Sequence, residues 1–418
     1  MVDQYLIQAY LNRNFNEYLD IHKGMVDVNS FTANPQGVNT LGELTARLFA
    51  RLGFQAEYVQ SECQHYGQHL FLFRAGDAQA KARNALALVS HLDTVFPPEE
   101  ERENDFSWRV EGDRIYGPGT VDIKGGTVMI YMVLDTIQQF APQEFQATDW
   151  YICLNATEEV LSDEFARLCQ ERLPGETKAC LVFEGGTPSQ DDFSLVVARK
   201  GRATFDVFAE GRSAHAGNYH HLGANAVVQM AETIRQIAAL TDYENQITFN
   251  VGKVGGGVVV NRVPHYAEAE VEMRAFSSEM FDQGIASMVA FNNASDISSV
   301  DGYPCRVRVK LKERTAPWPA NAGTQGLYVI WEKVAKEMGI QVSPEERGGL
   351  SDGNLLWNDF PTLDGLGPTG ANAHCSERSQ DGSKDQEYAE RSSFIPKTML
   401  NVAAILELLD GPSLASEQ

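Results

Sequence analysis

The hydrophobic pattern changes period twice along this chain, and no other feature constrains the fold as tightly. Residues 85–90 (ALALVS), 150–156 (WYICLNA) and 179–183 (ACLVF) are short continuous apolar runs. Such runs suit strands buried on both faces of a mostly parallel sheet. Helical spacing lies before and between them, at Leu41, Leu44, Leu48 and Leu52 with Gly53 as a stop, and over 126–140 with Val128, Met129, Met132, Val133 and Ile137 apolar. From about Ser194 to Lys312 the period falls to two. Phe205, Val207 and Ala209 alternate with Asp206, Phe208 and Glu210; Ala267, Ala269, Val271, Met273 and Ala275 alternate with Glu268, Glu270, Glu272 and Arg274; Cys305, Val307, Val309 and Leu311 alternate with Arg306, Arg308 and Lys310. That is the pattern of antiparallel sheet with one wet face. With 246–254 as a further strand, and helices carrying Val227, Met230, Ile234 and Ile237, then Phe281, Ile285 and Met288 behind a Ser277 or Ser278 cap, the order is βαββαβ. In this split pattern the last strand lies beside the first, basic face against acidic. The α/β texture then returns in a helix at 323–338 and a strand at 360–366. The expectation is an α/β catalytic domain with a mostly parallel mixed sheet (1–193 and 315–418), interrupted by a ferredoxin-like α+β insert (194–314). Only the last few residues read as frayed.

Composition narrows the function. The 418 residues are 43% hydrophobic and 22% charged, enough for a real core. The net charge of −23 repels phosphate and anionic lipid, so neither nucleic acid nor membrane is an expected partner. No apolar run reads as a spanning helix. The first twenty residues have acidic and polar residues throughout and lack the basic-then-apolar layout of a signal peptide. Six cysteines are scattered without CxxC spacing, and they read as reduced thiols of a cytoplasmic protein.

Metal-type side chains gather where strands end. His91 and Asp93 follow the first buried run and share a side by period two. Asp122 sits in GPGTVDIKGG, at the mouth of the apolar helix; the segment lacks GxxxxGK[ST] order, which leaves a helix cap or a ligand. Glu158 and Glu159 end the second run, and adjacent carboxylates there are costly without a cation or proton. Glu184 ends the third, and His374 closes a Gly-rich stretch. Each has a bland reading as a structural or solvated side chain. Sites in open α/β sheets form outside the strand carboxyl ends, and two imidazoles with three carboxylates, plus one carboxylate to spare, suit a paired metal site.

The sequence resembles the co-catalytic di-zinc exopeptidases and deacylases typified by glutamate carboxypeptidase and acetylornithine deacetylase. The resemblance runs through SHLDTV, GPGTVDIKGG, Glu158-Glu159, FEGG (183–186), GRSAHAG (211–217) and GGLSDGN (348–354). It implies two zinc ions per subunit, with cobalt or manganese as alternatives. Asp122 would bridge them, His91 and Glu184 completing one site and Glu159 and His374 the other. Glu158 would be general base and then acid, and Asp93 would orient His91. A cis bond would follow Asp122. His215 would reach a partner subunit's site in a homodimer built through the insert. Asn261 and Arg274 would take a substrate α-carboxylate and Arg314 a side-chain carboxylate, while Gly349, Ser351 and Asp352 would form a substrate loop. Arg274 has a second reading, pairing with glutamates of its own strand, and Ser351 one as a helix cap. After His374 a polar extension to Tyr388 exceeds the family's usual length, and Cys375 reads as a wall residue. His220 and His221 read as insert surface, while His22, His65, His69 and His265 carry no assignment.

The implied activity is hydrolysis of an amide next to a free carboxylate, in a small peptide, as in carboxypeptidases. An N-acyl-amino-acid deacylase with the same metals is the nearest rival. A non-catalytic metal or amino-acid binding protein is the alternative of another class.

Overall fold

The computed structural model describes residues 3–77, 84–160, 163–188 and 192–412; the tail expected to fray, 413–418, lies outside them. The chain divides into two compact units. One comprises Met1–Val197, Ala320–Glu346 and Ser351–Gln418, the other Ala198–Pro319 and Arg347–Leu350.

The first unit is built on a six-stranded sheet ordered Gln55–Gln60, Gln68–Arg74, Thr148–Asn155, Asn84–His91, Cys180–Val182, Thr362–Leu363. The last four run parallel to one another, and the first two are antiparallel additions. The continuous apolar runs are explained by helices on both faces. Leu86, Leu88, Ile152, Leu154 and Leu181 point into one core with the helices Gln4–Val26, Lys124–Phe140 and Phe394–Asp410. Ala87, Val89, Cys153, Cys180 and Val182 point into a second, with Phe165, Cys169 and Phe360. All six cysteines are free thiols.

One sequence expectation needs correction. Among the described residues Arg391–Asp410 is long and apolar enough to pass as a membrane span. It is interrupted by Lys and Glu, which kept it from reading as an apolar run, and its Leu400, Val402, Ile405 and Leu408 are buried in the first core.

A small four-stranded sheet in the same unit is ordered Gly370–Ala371, Tyr388–Glu390, Arg114–Tyr116, Arg109–Glu111. Two of these strands lead directly into the segments that carry Asp122 and His374.

The second unit is the α+β insert. Its antiparallel sheet is ordered Thr248–Gly256, Tyr266–Ala275, Gly201–Glu210, Arg306–Thr315, with helices Ala226–Ala238 and Ser278–Val289 packed on it. The last strand does lie beside the first, with Arg306 opposite Glu210 and Lys310 opposite Asp206. Two side chains depart from their periodic reading. Leu311 is exposed, because a bulge between Leu311 and Glu313 breaks the alternation. Val227 is exposed while Gln229 and Thr233 face inward. Gln229 Oε1 accepts the backbone N–H groups of Asp296 and Ile297, so a satisfied amide holds the buried place expected of an aliphatic group.

Candidate metal centre

Each metal-type residue arrives at the carboxyl edge of the large sheet by a local route. His91 is the last residue of Asn84–His91, and Glu184 follows Cys180–Val182 by two residues. Glu158 and Glu159 open a 3-10 turn three residues past Thr148–Asn155. Asp122 precedes the helix Lys124–Phe140, with a cis bond to Ile123. Close approach there depends on two glycines. A Cβ on Gly126 would lie 2.0 Å from the Phe183 carbonyl oxygen, and one on Gly125 would lie 2.3 Å from that of Thr120. Without side chains, this helix start can sit against the end of the Glu184 strand.

Two triads share Asp122. Its Oδ1 is 3.1 Å from His91 Nε2, which is 3.6 Å from Glu184 Oε1. Its Oδ2 is 3.3 Å from His374 Nε2, which is 3.2 Å from Glu159 Oε2. Donor atoms of one tetrahedral ion with bonds of about 2.0–2.2 Å stand roughly 3.3–3.6 Å apart. The spacings, the nitrogen–oxygen donor set and the shared carboxylate therefore fit a pair of divalent cations. A third grouping, His91 with Glu158 and Glu159, also brings its donors within 4.8 Å of one another. Glu158 Oε2 stands 3.8 Å from His91 Nε2, beside the first triad.

The electrostatics point the same way. Burial, with Glu159 and Glu184 nearby, raises the Glu158 carboxyl well above its usual range. Burial and Asp122 push Glu159 up to about 7. Hydrogen bonding to Asp122 and Glu159 raises His374 to about 11. Burial opposes charge on both His91 and Asp122, yet their contact raises the imidazole and lowers the carboxyl. The cluster holds more negative charge than a buried site tolerates without cations.

The support around the ligands refines the expectations. His91 Nδ1 donates to the backbone carbonyl of Asp93 at 3.0 Å, whereas the Asp93 carboxylate is 3.5 Å away. That carboxylate instead accepts the backbone N–H groups of Glu158 and Glu159, each at 3.2 Å, and the Thr32 hydroxyl at 2.8 Å. Asp93 therefore holds the Glu158–Glu159 turn, and its main chain orients His91. Asp352, grouped with the substrate loop by sequence, is buried; its Oδ1 accepts from Asn155 Nδ2 at 2.7 Å, and burial pushes it up to about 7. Glu387 carried no expectation. It is fully buried and accepts the backbone N–H groups of Val121 and Asp122. Nothing in a single sequence separates it from the acids around it in the polar extension.

The substrate candidates fare unevenly. Ser351 is buried, with its hydroxyl donating to Asp364 Oδ2 and accepting from the Gly353 N–H; it fits a turn at a helix start rather than a ligand contact. Gly349 belongs to the insert unit, where its carbonyl and that of Leu350 accept from buried Arg199, a residue the sequence reading missed. Arg274 lies on Glu272 of its own strand at 2.6 Å and donates to the Gly348 carbonyl at 2.7 Å, the second of its two readings. Arg314 pairs with Asp282 at 2.8 Å. Asn261 is exposed, and its carbonyl accepts from Ala216 N–H, which brings it beside His215. His215 is exposed. Its Nδ1 accepts the N–H groups of Gly217 and Asn218, which fixes the tautomer with Nε2–H as the outward donor. His220 and His221 are exposed on the insert, and Cys375 is half-buried.

A shared aspartate between two triads that would hold paired cations, with a buried glutamate to spare, supplies the working parts of a dinuclear metallohydrolase. The comparisons with known proteins agree. Residues 197–296 match the peptidase dimerisation domain of the M20 family. The sequence is 26% identical to carboxypeptidase G2 of a Pseudomonas species, over 91% of this chain and 86% of that one. It is 27% identical to acetylornithine deacetylase of Vibrio campbellii, over 72% and 74%. A dinuclear metal-binding M20 peptidase from Bacillus subtilis shares the fold, with a TM-score of 0.63 and 13% identity over 94% and 98% of the two chains. The chain carries a dimerisation domain of the M20 peptidase type and is similar along most of its length to carboxypeptidase G2, and it is a hydrolase of the metallopeptidase type.

Proposed function

We propose that the protein is a di-zinc exopeptidase of carboxypeptidase type, cleaving an amide next to a free carboxylate in a small peptide, in a cytoplasmic setting. The observation that carries the reading is the shared Asp122, each oxygen facing its own imidazole, with Glu158 left beside the first triad. His91, Asp122 and Glu184 would hold one ion, and Asp122, Glu159 and His374 the other. Bound there, the ions supply Lewis-acid activation of water and carbonyl. Glu158 takes the proton of the attacking water and hands it to the leaving amine. Asp93 keeps the turn carrying Glu158 in register with His91. His215, through Nε2–H, donates to the oxyanion in a partner's site. Arg274 takes the substrate carboxylate by exchanging Glu272 for it, as a fork-shaped donor can.

Likeness to carboxypeptidase G2 along nearly the whole chain supports the carboxypeptidase reading. Likeness to acetylornithine deacetylase supports a second, N-acyl-amino-acid deacylation, with the same residues in the same roles. Exposed Val254 on the open edge strand, with Val227 and Val228 on the adjoining helix, supports a homodimer through the insert.

The test is hydrolysis of Xaa-Glu dipeptides and of N-acyl amino acids by the zinc-loaded protein. Turnover of the dipeptides is the expected result, and turnover of only the acyl amino acids transfers the assignment to the deacylase. Stoichiometric zinc with no turnover on either panel overturns both substrate readings.

A further inference from the structure

Glu387 lies between the two loops that deliver Asp122 and His374. Its strand, Tyr388–Glu390, is the inner partner of both Arg114–Tyr116 and Gly370–Ala371, with Tyr388 opposite Tyr116 on one side and Ala371 on the other. The first neighbour runs on into the loop ending at Asp122, and the second into His374. The residue preceding the middle strand is thereby placed at the junction of both. Its main chain fastens one side, the Glu387 N–H donating to the Cys375 carbonyl at 2.8 Å, next to His374. Its side chain fastens the other. Oε1 accepts the N–H of Val121 at 3.0 Å and that of Asp122 at 3.3 Å. Residue 387 is fully buried, and Oε2 has no hydrogen-bond partner among the described residues. A buried carboxylate with one oxygen unused is costly in a fold, so its retention calls for a reason.

We propose that Glu387 is a positioning residue for the metal centre: by accepting the Val121 and Asp122 amides while its own amide holds Cys375, it fixes the Asp122 backbone so that the two carboxylate oxygens face separate triads. The inference rests on the reading of Asp122 as the shared ligand. What matters in it is a correctly placed acceptor oxygen, not a charge.

Two conservative changes separate those properties. Glu387→Gln keeps an oxygen at the same reach and loses the charge. Glu387→Asp keeps the charge and withdraws it by one methylene. The metal-free full-length chains are titrated with cobalt(II) alone, followed by visible absorption and by calorimetry, and their thermal unfolding is recorded metal-free. The Gln variant is expected to bind two cobalt ions within about threefold of the parent affinity. The Asp variant is expected to bind them roughly 10–100-fold more weakly, as when a supporting hydrogen bond behind a ligand is removed, with metal-free melting unchanged. Parental affinity in the Asp variant overturns the inference, and so does a loss in the Gln variant as large as in the Asp variant. Where the Asp variant does not fold, the Gln variant decides: weakened binding rejects the inference and retained binding upholds it. Asp122→Ala, titrated alongside, keeps the two failures apart. Full cobalt binding by that variant defeats the bridging assignment itself, whereas its loss beside an unaffected Glu387→Asp defeats only the role of Glu387.

Discussion

Glu158 and Glu159 are chain neighbours with different surroundings. Glu159 is pressed against His374, while Glu158 stands off His91 at 3.8 Å. Glu158→Gln is therefore expected to keep two ions while kcat falls on the order of 10²–10⁴-fold. Glu159→Gln should lose one ion, as elemental analysis would read. His22 shows the opposite use of burial. It is fully buried between Trp108 and Phe394, neither ring nitrogen has a hydrogen-bond partner among the described residues, and burial, then Lys124, lowers it to about 3. The imidazole is neutral in the fold at neutral pH. Between about pH 6.5 and 3 the unfolded chain binds a proton here that the folded chain does not. The contribution is complete above pH 6.5 and is lost as pH falls, at up to about 1.4 kcal/mol per unit. Urea midpoints at pH 7 and 5 should converge in His22→Phe relative to the parent; an unaltered difference refutes this account.

At the scale of elements, the helix Lys124–Phe140 was legible because almost every turn is apolar, and it is buried on most sides. Its paired glycines were legible only as a tight turn. What they permit, contact with the end of the Glu184 strand, appears once two distant segments are side by side. Gly126→Ala should destabilise the fold by about 1–3 kcal/mol, since the methyl meets rigid backbone rather than a movable side chain. Chemical denaturation would show it, and metal affinity should fall with it as Asp122 is displaced. The same distinction explains the insert. Period two gave its sheet correctly, whereas the bulge that exposes Leu311 and the inward Gln229 depend on local register and on a partner loop. Neither leaves a mark on hydropathy.

For the whole molecule, the family's dimerisation domain suggests that the active particle is a homodimer. Sedimentation should give twice the chain mass, and Val254→Asp on the exposed edge strand should shift it toward monomer. A mixture of Glu158→Ala and His215→Ala chains tests whether His215 serves a partner's site. A symmetric dimer that shares His215 recovers about a quarter of parental activity on mixing, because half the particles are hybrid and each has one complete site. Residual activity no higher than the separate variants would place the two residues in one subunit's site. Stripping the ions with a chelator should lower the melting temperature by several degrees, and added zinc should restore it, because ligands held only by the folded chain stabilise it by mass action.

The sequence by itself determined the two-texture architecture and the ligand inventory. Periodicity is written in consecutive residues, and side chains at the ends of apolar runs are bound to meet at one sheet edge. Only the tertiary structure decided which oxygen of Asp122 faces which imidazole, that the main chain rather than the carboxylate of Asp93 orients His91, and that Ser351 is sealed in the interior. It alone brought Glu387 behind Asp122 from 265 residues away. Hydrogen-bond partners are set by the convergence of loops, and a lone carboxylate in a polar stretch looks the same in the chain whether it ends in water or beneath a metal centre.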